Sequence, residues 1–197
     1  MIEQSGLVDY LDALASKAGT PGGGAAAGIT GAQACALMEM VCRLTRGQDK
    51  VIAPILAGAD AARARFLDLA SHDMEKFNDV MTAWRAPDGE RQSRLQPALK
   101  AAAEVPLEMI AEAVALIDDL GQLSSIGNQN LVTDTGIAAL LLEATIRSSR
   151  LNVLINLKSI DDVNFVNDAN AALEDASRQL PKLEKIRVDI DSGLTAG

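Results

Sequence analysis

The sequence is short of aromatic, basic and metal-binding side chains. Aromatics make up 3% of the 197 residues, with one Trp, one Tyr and three Phe. The stacking platforms that single-stranded nucleic acid requires are therefore missing. Lys and Arg number 18 against 27 Asp and Glu, a formal charge of −9. No nucleic-acid partner is expected of so acidic a surface, which cannot neutralise a phosphate backbone. His72 is the only histidine, and Cys35 and Cys42 are the only cysteines. That excludes a histidine-rich metal centre and the ligand spacings of zinc sites. The two cysteines would lie about 10 Å apart along a helix, too far for a disulfide. They read as buried packing residues in a reducing compartment. No stretch alternates polar and apolar residues with period two, which argues against a sandwich or barrel.

Targeting signals are equally scarce. Met1-Ile2-Glu3-Gln4-Ser5 has neither a basic nor an apolar leader region. The one long apolar run follows Pro21 and is interrupted by Glu39 and Arg43. Its glycines and alanines suit a buried helix better than a lipid-facing one. A cytoplasmic protein without a membrane partner is expected.

What is present is Ala, Leu and helical periodicity. Hydrophobic residues are 48% of the chain, enough for one domain that buries about 70% of its unfolded surface. The chain reads as a single all-α domain, 1–197, a bundle of roughly six to eight long helices. A first helix is expected over 2–17, with Ile2, Leu7, Val8, Leu11, Leu14 and Ala15 as its stripe. The second runs from Gly23 to about Arg46, with Gly24, Gly28, Gly31, Ala32 and Cys35 on one face that admits a close neighbour or ligand. The third, 49–84, has a core stripe from Ile55 to Phe77 and Trp84. The fourth, 90–119, is one kinked rod or two helices, because Pro97 and Pro106 each remove an N–H donor. A fifth opens at Thr133-Asp134-Thr135-Gly136 and ends near Leu157. Asp161-Asp162 caps a last helix to about 190, whose Leu173, Leu180, Leu183, Ile186 and Ile190 would face a partner or the first helix.

Four polar sets could carry chemistry. Thr20-Pro21-Gly22-Gly23-Gly24 enters a helix whose free N–H groups suit an anion or a carbonyl-rich ligand. Gly22-x-Gly24-x-x-Ala27 matches the dinucleotide fingerprint in form, but no strand precedes it, so that reading fails. Asn128 to Asp134 is a polar loop in which Asp134 is either an N-cap or a carboxylate aimed into a cleft. Asn152 and Asn156 share a helix face and either satisfy backbone or line a pocket. Asp73, with His72, Glu75 and Phe77, reads by itself as a solvated face. Glu39 and Arg43 form an i, i+4 ion pair that fixes packing.

Taken in order, these motifs resemble the cyclodeaminase/cyclohydrolase family. They are Thr20-Pro21-Gly22-Gly23-Gly24, Asp73-x-x-x-Phe77 with Val80-Met81-x-Ala83 and Pro87, and Ala103-Glu104-Val105-Pro106-Leu107. Gly127-Asn128 with Thr133-Asp134-x-Gly136, and Leu151-Asn152-Val153-x-x-Asn156, complete the series. The resemblance spans about residues 5 to 190. That family holds the C-terminal domain of formiminotransferase-cyclodeaminase and stand-alone methenyltetrahydrofolate cyclohydrolases.

The resemblance implies a helical homodimer that acts on tetrahydrofolate one-carbon adducts without metal or cofactor. It implies hydrolysis of 5,10-methenyltetrahydrofolate to 10-formyltetrahydrofolate. The alternatives are formiminotetrahydrofolate cyclodeamination, or a folate-binding or structural dimer without activity. The folate cleft would be formed by Pro21, Gly22, Gly23 and Gly24, by Asn128, Thr133 and Asp134, and by Asn152 and Asn156. Asp134 would be the first acid/base candidate and Asp73 the second. The anionic folate tail would meet Arg46, Lys50 or Lys158. Two positions depart from the family pattern: Ala25 stands where Ser is common, and Asp88 follows Pro87 where Lys is common.

Overall fold

The computed structural model describes residues 6–196. Those residues form seven α-helices and one short 3-10 turn, with no strand among them. The helices are α1 (Leu7–Leu14), α2 (Gly23–Leu44), α3 (Asp49–Trp84), α4 (Asp88–Ala115), α5 (Ile117–Ile126), α6 (Val132–Leu157) and α7 (Val163–Thr195). One hydrophobic cluster runs from Ala27 on α2 to Ile186 on α7.

α2 is the rod against which the others pack, chiefly α3 on one side and α6 on the other. It is long and apolar enough to cross a membrane, but 61% of its apolar window is buried by neighbouring helices. Its small-residue face meets α3. A Cβ on Gly28 would stand 2.8 Å from both the Ala70 Cβ and the Phe66 carbonyl oxygen, so a side chain there would force the helices apart. Each step up α2 meets a step down α3: Gly24 faces Asp73, Gly28 faces Ala70, and Glu39 faces Arg63. α6 also runs antiparallel to α2, since Asn152 lies beside Gly23 and Asn128 bonds to Leu44 and Thr45.

Glu39 is 2% exposed and accepts from Arg43 at 2.8 Å and from Arg63 at 2.5 Å. The ion pair expected within α2 is thus a triad that also ties α2 to α3. Cys35 and Cys42 are free and buried. Burial pushes the Cys35 thiol up to about 12 and the Cys42 thiol up to about 11. Both are packing residues, held in the unreactive thiol form.

Several expectations need correction. The described part of the first helix is only Leu7–Leu14; Ile2 lies outside the described residues. Of the two forms expected for the fourth segment, α4 is one continuous helix through Pro97 and Pro106, and the break before α5 falls at Leu116. Both prolines sit in a helix held on its flanks by α3 and α6, so packing outweighs the lost hydrogen bonds. Two members of the α3 stripe are not core: Phe77 is 39% and Trp84 57% exposed, while Leu69 and Ala83 are buried. The stripe of α7 packs on α4, α5 and α6 rather than on α1. Asp162 caps α7 as expected, accepting from the N–H groups of Asn164 and Phe165.

Candidate functional site

The antiparallel α2–α3 and α2–α6 pairings bring three of the four polar sets to one end of α2. A cavity of about 320 Å³ opens there, lined by Gly22, Gly23, Gly24, Asp73, Asn152 and Asn156 among others. Pro21 is buried beside it in the loop that starts α2. Phe77, Val80 and Ile155 give the cavity an apolar wall.

Asp73 is the charged group at its centre. Its carboxylate accepts the backbone N–H of Ala25, in the first turn of α2. Burial raises its pKa, and the hydrogen bond from Ala25 opposes that rise in part. The carboxyl group therefore takes up a proton more readily than an exposed aspartate, as an acid/base group needs. Asp73 also explains why residue 24 is glycine: a Cβ there would lie 1.9 Å from the Asp73 Oδ1. Gly24→Ala is expected to push the carboxylate aside and to lower kcat/KM by roughly 100-fold, the cost of about 1 Å of misplacement. Gly89→Ala, on α4 and outside the cavity lining, is the control, since a Cβ there would meet nothing within 4 Å. Steady-state kinetics of the two variants check this; equal losses would contradict it.

The asparagines take both roles foreseen for them. Asn152 donates through Nδ2 to the Ser148 carbonyl at 3.1 Å, and Asn156 to the Asn152 carbonyl at 2.9 Å. Each keeps its Oδ1 to offer the cavity, as an acceptor for ligand N–H groups. Ala25 is fully buried, so its missing hydroxyl takes nothing from the cavity surface. The free N–H groups of Gly23 and Gly24 are what the helix start can present.

The fourth set lies elsewhere. Asn128 caps the 3-10 turn: its side chain accepts from Asn130 N–H and donates to the Leu44 carbonyl. It fastens the α5–α6 connection to the far end of α2. Thr133 and Asp134 are in the first turn of α6, and the N-cap is Leu131, so Asp134 is not the cap. Along α6, Asp134 and Asn152 are separated by about 27 Å. A single chain therefore does not join Asn128, Thr133 and Asp134 to the glycine loop. Lys158, exposed just past α6, sits at the cavity's end but does not line it. Arg46 lies with Asn128 on the far groove. The charge of Asp88 is answered locally by Arg91 at 2.7 Å.

Sequence reasoning underrated Phe77, Val80 and Ile155 as pocket residues. The available signal was their spacing: Phe77 and Val80 follow Asp73 on its own helix face, and Ile155 follows Asn152 by three.

Comparison with known proteins bears on the chemistry. Residues 6–175 match the formiminotransferase-cyclodeaminase family. The chain is 38% identical over 177 residues to a methenyltetrahydrofolate cyclohydrolase of Methylorubrum extorquens, covering 84% of this chain and 85% of that one. It is 29% identical over 168 residues to the formimidoyltransferase-cyclodeaminase of Sus scrofa, covering 79% of this chain but 31% of that longer protein. Its fold is similar to the crystal structure of formiminotetrahydrofolate cyclodeaminase from Thermotoga maritima, with a TM-score of 0.91 and 37% identity over 99% of this chain and 100% of that one.

Proposed function

From the premise that this chain belongs to the formiminotransferase-cyclodeaminase family, we propose that it hydrolyses 5,10-methenyltetrahydrofolate to 10-formyltetrahydrofolate in the cavity around Asp73. The observation that carries this reading is a half-buried carboxylate, its pKa raised by desolvation, at a glycine-rich helix start in a cavity it shares with two asparagines.

The chemistry suits those groups. The methenyl bridge is a delocalised cation, and the Asp73 carboxylate stabilises it electrostatically. Water adds to the bridge carbon as Asp73 accepts its proton. The tetrahedral adduct then breaks its bond to N5, which takes that proton from Asp73, while the adduct's hydroxyl loses its own proton to solvent and becomes the carbonyl of the formyl group left on N10. The oxygens of Asn152 and Asn156 accept hydrogen bonds from the pterin edge, while Phe77, Val80 and Ile155 cover its ring. A cavity of about 320 Å³ is at the small end for ligand sites. It accommodates the ring system, and the anionic tail runs outside towards Lys158. Asp134 is the second acid/base group, and the protein works as a cytoplasmic homodimer. The reaction draws on the chain's own residues, without metal or cofactor.

The second reading is formiminotetrahydrofolate cyclodeamination, favoured by the fold match to the Thermotoga maritima enzyme. There N10 attacks the formimino carbon and the same acid protonates the departing ammonia. Paired assays separate the two: loss of methenyl absorbance, and ammonia released from the formimino adduct. The proposal expects the larger kcat/KM with the methenyl substrate. Ammonia release as the only catalysed reaction would replace it with the second reading. Folate binding without either reaction would mark the protein as a binding module.

A further inference from the structure

The cavity around Asp73 takes one of its polar groups from the backbone of α4. Ala102 is among the residues that line it. Pro106 follows Ala102 by one helical step of four residues. In an α-helix the N–H of residue 106 would bond to the carbonyl of residue 102, and proline has no N–H to give. Its ring also crowds that carbonyl and turns it away from the helix axis. α4 nevertheless runs unbroken through Pro106, which is buried within it. The Ala102 carbonyl thus sits in a regular helix without its helical donor.

A side chain on α6 takes the place of that donor. Asn156 donates through Nδ2 to the Ala102 carbonyl at 3.4 Å and to the Asn152 carbonyl at 2.9 Å. A side-chain amide has two N–H groups. Both are in use here, one within α6 and one across to α4. The orientation of the amide follows. Turned over, it would set its own oxygen against two carbonyl oxygens with no donor between them. Oδ1 is therefore the atom that Asn156 offers the cavity. Asn152 lacks a second anchor: among the described residues its Nδ2 bonds to the Ser148 carbonyl alone, at 3.1 Å.

Pro97 makes the contrast. It lies in the same helix, and the carbonyl it frees is that of Ser93. Ser93 is exposed, so water can satisfy that carbonyl. Pro106 differs in that its freed carbonyl faces a side chain of the site. The motif Ala103-Glu104-Val105-Pro106-Leu107 sends no side chain into the cavity. Its contribution is a hydrogen bond that it does not make.

We propose that Pro106 is a positioning residue of the site: by withholding a backbone N–H, it leaves the Ala102 carbonyl to hold the Asn156 amide with its oxygen towards the substrate. That this oxygen meets a folate rests on the folate reading of the cavity, whereas the hold on the amide does not.

Pro106→Ala gives residue 106 an N–H, which draws the Ala102 carbonyl back into the helical ladder. KM for methenyltetrahydrofolate should rise roughly tenfold, the upper end of what one hydrogen bond is worth. The value of kcat should stay within about twofold, since Asn156 holds substrate and transition state alike. Pro97→Ala should change neither. Both variants should stay folded, because alanine suits a helix interior better than proline. The test of the route through Asn156 is Asn156→Ala with and without Pro106→Ala: the double variant should have the KM of Asn156→Ala alone. Losses that multiply, or an unchanged KM in Pro106→Ala, would overturn the proposal. A second measurement needs no turnover. The side-chain NH2 resonances of Asn156, assigned by their absence from Asn156→Ala, should shift and exchange faster with solvent in Pro106→Ala, and stay as in wild type in Pro97→Ala. Unmoved Asn156 resonances in Pro106→Ala would also overturn it. A wild type without activity would end the folate reading, and the amide resonances would then decide the role of Pro106 by themselves.

Discussion

Asp73→Asn is expected to lower kcat/KM for methenyltetrahydrofolate by about 100-fold or more, the loss typical of an acid/base group, while raising Tm at neutral pH. Both effects come from one feature of the carboxylate: it is half-buried, and the loss of water around it raises its pKa. An unfolded aspartate titrates near 3.9. The folded value is higher, so the contribution of Asp73 to stability is complete below the unfolded value and is lost as pH rises through the folded one. At neutral pH the wild type carries a partly desolvated negative charge, and Asn removes that cost. The gain in Tm should fade as pH falls below about 4, where Asp73 is protonated in both states. Asn keeps an oxygen that accepts the Ala25 N–H, so the start of α2 stays capped. Loss of activity with a gain in Tm separates a catalytic carboxylate from a mere helix cap. Activity within a few-fold of wild type would assign Asp73 to capping alone. In the wild type, the acidic limb of kcat/KM should lie above the ordinary carboxylate range, because Asp73 must be ionised to accept the water proton.

Asp134→Asn should lower turnover by about 100-fold or more, with little change in Tm. Asp134 is half-buried in the first turn of α6 and makes no side-chain hydrogen bond among the described residues. Its stability contribution is the favourable placement of an acid at a helix N-terminus, about 0.3–1 kcal/mol. The kinetic effect rests on the proposed homodimer, whose second chain would supply Asp134, since its own chain places it about 27 Å from Asn152. Thermal melts beside turnover measurements check the pair of outcomes. A folded Asp134→Asn dimer with normal turnover would remove Asp134 from the mechanism.

The sequence made some of this arrangement legible and concealed the rest for definite reasons. The small residues of α2 announced a close approach, and α3 makes it: Gly24 and Gly28 lie against Asp73 and Ala70. A short connection between long helices dictates antiparallel packing, so the meeting of Asp73 with the glycine loop was implicit once both helices were drawn. Asp73 by itself reads as a solvated position, because a carboxylate's burial depends on which helix covers it. The exposed face of α6 was hidden by the evenness of that helix, which carries apolar residues on all sides. Only its packing against α2, α4 and α7 reveals which of them remain uncovered. The placement of Asp134 with the glycine loop came from motif order. Motif order does not record that two ends of one straight helix cannot share a cavity within a single chain.

The account depends most directly on whether the purified protein consumes the methenyl bridge. Methenyltetrahydrofolate absorbance should be followed with wild-type protein and with Asp73→Asn, each against the rate in buffer alone. The prediction is a saturable acceleration with wild type that Asp73→Asn loses. A wild-type rate equal to the buffer rate, from a folded protein, would contradict it.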